Sequence, residues 1–299
     1  MANIYFPPSD ALCFASHVWR SAYAIRDREA LSGVRGFRRG KPAVQSRLET
    51  VGRTLIAGYR TALFSGPQKL DRSLISRAPI DLRGFVVEGL AMGCVVAGAA
   101  DLGSFADSGS RGVRQFVEEI SPDYPCFSHM GFGAGLARVP QLWDRIFGQL
   151  DARNYRLVFD GMGFHDAYFH TRKVLRGWRR TTASLQSAAY DQGIGRALWF
   201  IVGGDIERAV TALAAFAPQR QPSLWAGLGF ALTAVGWADD ATLNQATTLC
   251  GDCRAELAQG AALAATALEA SGAGLEHANS AARVLVGGDP HLVPSRSAA

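Results

Sequence analysis

Acidic, histidine and aromatic side chains crowd into residues 159–170, the stretch of this chain best equipped for chemistry. His165 is the candidate general acid/base, because an imidazole changes its protonation near neutral pH. Asp160 or Asp191 would orient its ring, as the third group of a nucleophile–base system does. The alternative for Asp160 is a structural role as the N-cap of a helix that begins near Gly161.

The spacing of the histidines argues against a metal. On a helix, His165 and Tyr168 lie three residues apart and share a face, whereas His165 and His170 lie five apart and point in different directions. The paired histidines of a zinc-binding helix need positions i and i+4. The sequence therefore predicts no metal site.

A second group of polar side chains follows at residues 190–196. We expect Asp191 to cap the helix that Gly193 enters and to form an ion pair with Arg196. In a catalytic interpretation, Arg196 would supply electrostatic stabilisation to a reaction that His165 starts. The candidate catalytic residues are therefore Asp160, His165, Asp191 and Arg196.

Aromatic residues surround both groups in the sequence. If neighbouring helices stack, the polar groups would lie among these rings on one concave surface, which suits a long, mostly apolar ligand held at a few points. The same aromatics could equally form plain core. The candidate ligand-binding residues are Phe164, Tyr168, Tyr190, Gln192, Trp199 and Trp225, with Phe200 as a neighbour.

Motifs for cofactors are weak. Cys250 and Cys253 form a lone CxxC without a second pair or a suitable histidine nearby, so incidental cysteines are expected and redox chemistry is the alternative. The glycine pairs at 161–163 and 193–195 lack the third glycine and the preceding strand of a dinucleotide fingerprint. No P-loop or nucleophile elbow is evident. The sequence predicts no cofactor.

Glycines recur at a nearly constant interval. Each is followed two positions later by another glycine or an alanine, and the steps between them are 42, 30, 32, 34 and 33 residues. Such periods indicate tandem helix hairpins, in which missing side-chain bulk lets neighbouring backbones approach. We predict an all-α fold, a tetratricopeptide-like α-solenoid with an N-terminal helical extension. The repeating positions are Gly89, Gly131, Gly161, Gly193, Gly227 and Gly260.

These patterns divide the chain into three parts. Residues 1–42 form an irregular or helical N-terminal extension, 43–289 the helical-repeat domain and 290–299 a flexible tail. An apolar stripe predicts a helix over 43–64, and a polar loop at 101–112 accounts for the long first interval. Asp205 and Asp239 are expected to cap the second helices of later pairs.

Four strings carry a family resemblance: RLETVGRTLIAGY at 47–59, FVVEG at 85–89, FDGMGFH at 159–165 and YDQGIGRALWF at 190–200. Together they resemble the UnbL-like family, whose domain has no assigned function and occurs beside enediyne polyketide synthase genes and in other bacterial clusters. The resemblance runs from about residue 35 to 285. It implies a bacterial, cytoplasmic protein of specialised polyketide metabolism, and it brings no established catalytic residue.

The amino-acid composition indicates a folded protein. Hydrophobic residues make up 48% and charged residues 19%, which is enough apolar material for a core. The net charge is +5, and residues 20–60 hold ten Lys and Arg residues against three acids. No nucleic-acid reader motif accompanies this charge, so a solvated basic face is expected and nucleic acid is not an expected partner.

The sequence also predicts the cellular compartment of the protein. The early prolines at 7 and 8 interrupt any export signal, and no apolar run reaches the ~20 residues of a membrane span. The most apolar stretch, 84–100, contains Glu88 and four glycines and is expected to be a buried helix. Five widely spaced cysteines fit a reducing cytoplasm better than a disulfide scaffold.

Two functions from different classes remain open. The first is an accessory protein of enediyne or polyketide-type biosynthesis that binds a partner protein or a long, polyene-like intermediate on its helical surface. The second is a cofactor-independent isomerase or cyclase that uses His165 as general acid/base. Fold does not choose between them.

Overall fold

The computed structural model describes residues 8–100, 111–178, 180 and 184–288, and these residues form helices and no strand. The predicted all-α class is confirmed. The α-helices in chain order are α1 Pro8–Tyr23, α2 Ser32–Arg35, α3 Pro42–Ser65, α4 Ser73–Ser76, α5 Arg83–Ala100, α6 Arg111–Gln115, α7 Pro125–Arg138, α8 Trp143–Phe147, α9 Tyr155–Phe169, α10 Thr171–Val174, α11 Ser184–Ile201, α12 Ile206–Ala214, α13 Gln221–Val235, α14 Asp240–Leu249, α15 Arg254–Ala270 and α16 Glu276–Val286.

Short helical turns join several of them. A π-helical turn at Phe116–Ile120 follows α6. The 3₁₀ turns are Asp27–Ala30, Pro67–Lys69, Ile80–Leu82, Pro140–Leu142, Ala152–Asn154, Pro218–Arg220 and Gly251–Cys253.

The long helices α3, α5, α7, α9, α11, α13 and α15 pack each against the next. All six repeating glycines lie on these helices and face the backbone of a neighbour. A Cβ atom at Gly161 would lie 1.8 Å from the Met130 carbonyl oxygen, and one at Gly193 would lie 1.8 Å from that of Asp160. The expected close approach at glycine is therefore confirmed, because no larger residue fits at these contacts.

Contacts also join helices that are distant in the sequence. Arg47 of α3 donates from Nε to the Val235 carbonyl at the end of α13, with an N···O distance of 2.7 Å. The amide of Arg38 donates to the Ile201 carbonyl at the end of α11. These bonds bring the first long helix next to the later ones, so the long helices surround a common centre.

Several predicted helix boundaries are confirmed, and two predicted caps are wrong. The helix predicted over 43–64 is α3, and Asp205 and Asp239 cap α12 and α14 through bonds from the Arg208 and Thr242 amides. Asp160 and Asp191, in contrast, are not caps. Helices α9 and α11 begin at Tyr155 and Ser184, which places both carboxylates in helix interiors.

The physical reason is that glycine marks the contact within each helix and not its start. At α9 the start is set upstream, where Asp151 accepts from the Arg153 amide and caps the turn that precedes Tyr155. The segment from Pro140 to Phe147 is divided into a 3₁₀ turn and the short α8. Residues 101–110 of the predicted loop, and the predicted tail 290–299, lie outside the described residues.

One helical stretch, Ile80–Ala99, is long and apolar enough to cross a membrane by length and composition, but 83% of its apolar window is buried inside the protein. It is therefore the buried helix that the sequence predicts. The long helices α3 and α7 pack directly against it.

Candidate functional site

A cavity lies between α3, α5, α9, α11 and α13. Two charged side chains, Glu88 and Arg196, reach its wall, and the rest of the lining is apolar or aromatic. An apolar cavity with a few convergent polar groups is the usual form of a small-molecule site. The other lining residues are Val51, Gly52, Leu55, Ile56, Phe85, Phe164, Tyr168, Phe169, Phe200, Phe230, Ala231, Ala234 and Val235.

The charged groups form a buried triad that we call the central triad: Glu88, Asp160 and Arg196. Arg196 Nη2 donates to Glu88 Oε1 at 3.0 Å, and Arg196 Nε lies 2.8 Å from Asp160 Oδ1. Each of the three residues is at most 3% exposed. The guanidinium carbon also lies 4.8 Å from the centre of the Phe164 ring and 5.2 Å from that of Phe230. Three helices are thus joined by one arginine.

The triad contains more negative than positive charge, because two carboxylates share one guanidinium. Burial raises the pKa of Asp160 from 3.8 to about 6, and the charge of Glu88 adds to this effect while Arg196 opposes it. Although Arg196 is close, neither oxygen of Asp160 accepts a hydrogen bond of good geometry among the described residues. Asp160 therefore titrates near neutral pH.

His165 belongs to a second buried cluster, the Asp166 cluster, made of His165, Asp166, Arg180 and Tyr190. Its centre is the fully buried Asp166 carboxylate. His165 Nδ1 lies 3.1 Å from Oδ1, Arg180 donates from Nε to Oδ2 at 2.6 Å and from Nη2 to Oδ1, and the Tyr190 hydroxyl donates to Oδ2 at 2.9 Å. Burial alone would raise the pKa of Asp166, but the bonds and charges of His165 and Arg180 hold it at about 2.

The prediction that Asp160 or Asp191 orients His165 is therefore wrong. Its ring is oriented by the neighbouring Asp166 and not by Asp160 or Asp191. Burial lowers the pKa of His165 to about 4, so the imidazole is neutral at pH 7. The residue does not line the cavity. The Asp166 cluster joins α9, α11 and the segment before α11, and this geometry is that of a structural network.

His170 is closer to His165 than helical spacing predicts, with 5.9 Å between the ring centres. The reason is that α9 ends at Phe169, so His170 leaves the helix and folds back toward its last turn. The possible ligand atoms of His165, Asp166 and His170 lie within 4.8 Å of one another. Arg180 already binds both oxygens of Asp166, however, and its positive charge opposes a cation there.

Asp191 also has a different partner from the one expected. Arg220 donates to both of its oxygens, at 2.9 Å from Nε and 2.6 Å from Nη2. The predicted ion pair between Asp191 and Arg196 is wrong because Asp191 lies on the side of α11 that faces the turn before α13, whereas Arg196 lies on the side that faces α5 and α9. The four candidate catalytic residues thus belong to three separate ion-pair groups.

A family model matches residues 14–293. The chain belongs to the DUF1702 family. This family is described as a protein of unknown function, and the description names no activity. The match includes every residue of the central triad and of the Asp166 cluster, which are therefore parts of the DUF1702 domain. No curated protein and no solved structure matches the chain.

Among the candidate ligand residues of this DUF1702 protein, Phe164 and Tyr168 line the cavity together with Phe200. Tyr190 instead belongs to the Asp166 cluster. The remaining candidates are not part of the cavity wall: Trp199 and Trp225 are buried side chains of the core, and Gln192 presents its carbonyl oxygen to Gly227 of α13. The core interpretation of the aromatics is correct for these two tryptophans.

The residues of α3, α5 and α13 that complete the cavity were not predicted from the sequence. Glu88 gave the clearest signal, since a lone acid in an otherwise apolar helix needs a buried partner. That partner, Arg196, lies 108 positions away in the chain, and no local sequence pattern identifies it. Phe230 and Ala231 gave no such signal, because their types are those of any buried helix.

The cysteines of the CxxC stretch remain thiols in this DUF1702 structure. Cys250 is buried and donates from Sγ to the Thr247 carbonyl oxygen, and Cys253 is half-buried. Burial raises the pKa of both thiols, and Glu256 adds to the effect at each. A raised pKa reduces the thiolate fraction, so the observed environment favours incidental cysteines over redox chemistry.

The raised pKa of Asp160 gives a test of the triad by pH. Because the folded state binds this proton more tightly than the unfolded state, the contribution of Asp160 to stability is largest below pH 4 and is lost as the pH rises through 6. The shift corresponds to roughly 3 kcal/mol. We expect the free energy of unfolding of the wild type, minus that of Asp160→Asn, to fall by about this amount between pH 4 and pH 7.

Urea titrations at several pH values measure this difference, in which His165 and Asp166 cancel because both proteins contain them. Carbon NMR of the aspartate carboxyl groups, assigned with Asp160→Asn, gives the pKa directly. A difference that stays constant across the pH range would show that Asp160 is not perturbed.

Proposed function

We propose that this DUF1702 protein is an accessory protein that binds a long, apolar, polyene-like molecule in its central cavity. The observation that carries the proposal is the lining of the cavity, in which aromatic and aliphatic side chains surround one buried ion pair. Burial of the ligand's apolar surface would supply the affinity, and the polar groups would fix its orientation.

The biological setting is part of the same proposal. The resemblance to the UnbL-like family supports a role in bacterial enediyne or polyketide-type biosynthesis, in the cytoplasm, beside a biosynthetic protein partner. The long glycine-bearing helices, alternating with shorter ones, support a relationship to tetratricopeptide-like helix hairpins. In this setting the protein would shelter a reactive apolar intermediate between enzymes.

The alternative, an isomerase or cyclase with His165 as general acid/base, has less support. A general base must reach the proton that it removes. His165 lies outside the cavity wall, and Asp191 is held by Arg220. Of the four candidate catalytic residues, Arg196 is the one that reaches the cavity. The geometry therefore favours binding over catalysis.

Diphenylhexatriene, a linear triene whose fluorescence rises in apolar surroundings, tests the proposal. We expect saturable binding by the wild type with one molecule per chain. Ala231 is 2% exposed and lines the cavity, so Ala231→Phe should fill the space and weaken binding at least about tenfold.

The matched control is Ala214→Phe, at an exposed position near the end of α12 that faces away from the cavity lining. This variant should bind the probe as the wild type does. Equal loss in both variants, or no saturable binding by the wild type, would reject the cavity as the binding site. Circular dichroism establishes that each variant is folded.

A further inference from the structure

We propose that the ligand of the central cavity carries a positively charged head group, such as an ammonium, which lies beside Glu88 and the aromatic rings. The inference rests on the proposed function, since it specifies the ligand of that same cavity. It predicts a preference among ligands that share one apolar body and differ in charge.

The charges beside the cavity favour a cationic ligand. Glu88 and Asp160 bring two carboxylates to a site with one guanidinium, so the triad is one positive charge short when both are ionised. Glu88 Oε1 accepts from Arg196, while no hydrogen bond to its Oε2 is found among the described residues. A cationic head group beside Glu88 would neutralise the excess charge in surroundings where charge is poorly solvated.

The aromatic lining also favours a cation. Six rings face the cavity, and four of them already contact a cation. The Arg196 guanidinium packs on Phe164 and Phe230, and the Arg35 guanidinium packs on Tyr168 and Phe169. The faces of such rings attract cations, and sites lined by several rings bind quaternary ammonium groups. The six rings are those of Phe85, Phe164, Tyr168, Phe169, Phe200 and Phe230.

An anionic head group would instead be repelled at this site. The charged and titratable groups around the triad are Glu88 of α5, Cys126 of α7, Asp160 of α9 and Arg196 of α11. Burial raises the pKa of the Cys126 thiol to about 12, so it stays neutral. The positive charge of Arg196 is already shared by two carboxylates, so an entering carboxylate would be repelled by both.

Three derivatives of one polyene provide the test: neutral diphenylhexatriene, its trimethylammonium derivative and its propionate derivative. At pH 7.5 we expect the ammonium form to bind the wild type at least about tenfold more tightly than the propionate form. Non-specific binding to a chain of net charge +5 would favour the propionate form, so the expected order is diagnostic.

Glu88→Gln and Asp160→Asn each remove one negative charge with little change of shape, and should reduce this ratio at least about threefold. Asp123→Asn, which loses an exposed ion pair with Arg72, is the control and should keep it. Equal binding of the two charged forms by the wild type, or tighter binding of propionate, would overturn the proposal while leaving the proposed function in place.

An unchanged ratio in both triad variants would also overturn the proposal, because it would separate the preference from these carboxylates. If none of the three probes binds, the proposed function itself fails. The wild-type comparison decides the question even where a variant does not fold.

Discussion

Replacing Arg196 by methionine is expected to lower the free energy of unfolding at pH 7 by about 3 to 5 kcal/mol. Methionine retains much of the apolar volume but leaves Glu88 and Asp160 as two buried carboxylates without a positive partner. Removing one member of a buried ion pair costs this much because the remaining charge keeps its desolvation penalty. Urea denaturation followed by circular dichroism measures the loss.

Two further measurements separate charge from packing. Adding Glu88→Gln and Asp160→Asn to the methionine variant should restore most of the stability, since replacing a whole buried ion group by neutral residues is often nearly neutral. The surface control is Arg208→Met, whose partner Asp205 lies 3.3 Å away in an exposed pair. That change should cost at most about 1 kcal/mol. A similar small cost for Arg196→Met would contradict the central role of the triad.

Gly161→Ala is expected to destabilise the protein by about 3 kcal/mol or more, although alanine is the better helix former. Helix propensity alone would favour alanine by up to about 1 kcal/mol. The added methyl group, however, would lie 1.8 Å from the Met130 carbonyl oxygen, which belongs to the backbone of α7 and cannot rotate away. Helices α7 and α9 would have to separate, and their contact would be lost.

Gly274→Ala is the matched control, because a Cβ atom there meets no other group within 4 Å. It should change the free energy of unfolding by no more than about 1 kcal/mol. Thermal and urea unfolding of both variants give the comparison. If Gly161→Ala were as stable as Gly274→Ala, the glycines would mark something other than close contact between helix backbones.

The central triad links stability and binding in this DUF1702 protein. The same Arg196 that joins α5, α9 and α11 also reaches the cavity, so the groups that hold the long helices together are the groups that a ligand would meet. A buried ionic network is costly compared with an apolar core of the same volume. Its position at the cavity wall is the reason why we assign it a role in recognition.

The Asp166 cluster, by contrast, explains the pattern that first pointed to chemistry. His165, Asp166 and Tyr190 meet in a network around one carboxylate, with Arg180 as its counter-charge, while His165 Nε2 has no hydrogen-bond partner among the described residues. An acid and a histidine do lie close together in the sequence, but the acid that contacts His165 is Asp166, and their contact is structural. Titratable residues that crowd together in a sequence do not by themselves identify the site that a ligand can enter.

By itself, the sequence determined the helical class, the positions of closest helix contact and several caps, because each depends on local chemistry. Glycine at a regular interval predicts backbone contact, and Asp205 before a helix predicts a cap, whatever lies elsewhere. Only the tertiary structure decided which charges pair. Arg196 could have met Asp191, five residues away; it meets Glu88 and Asp160 because helix packing, which places residues far apart in the chain side by side, sets the direction of each side chain.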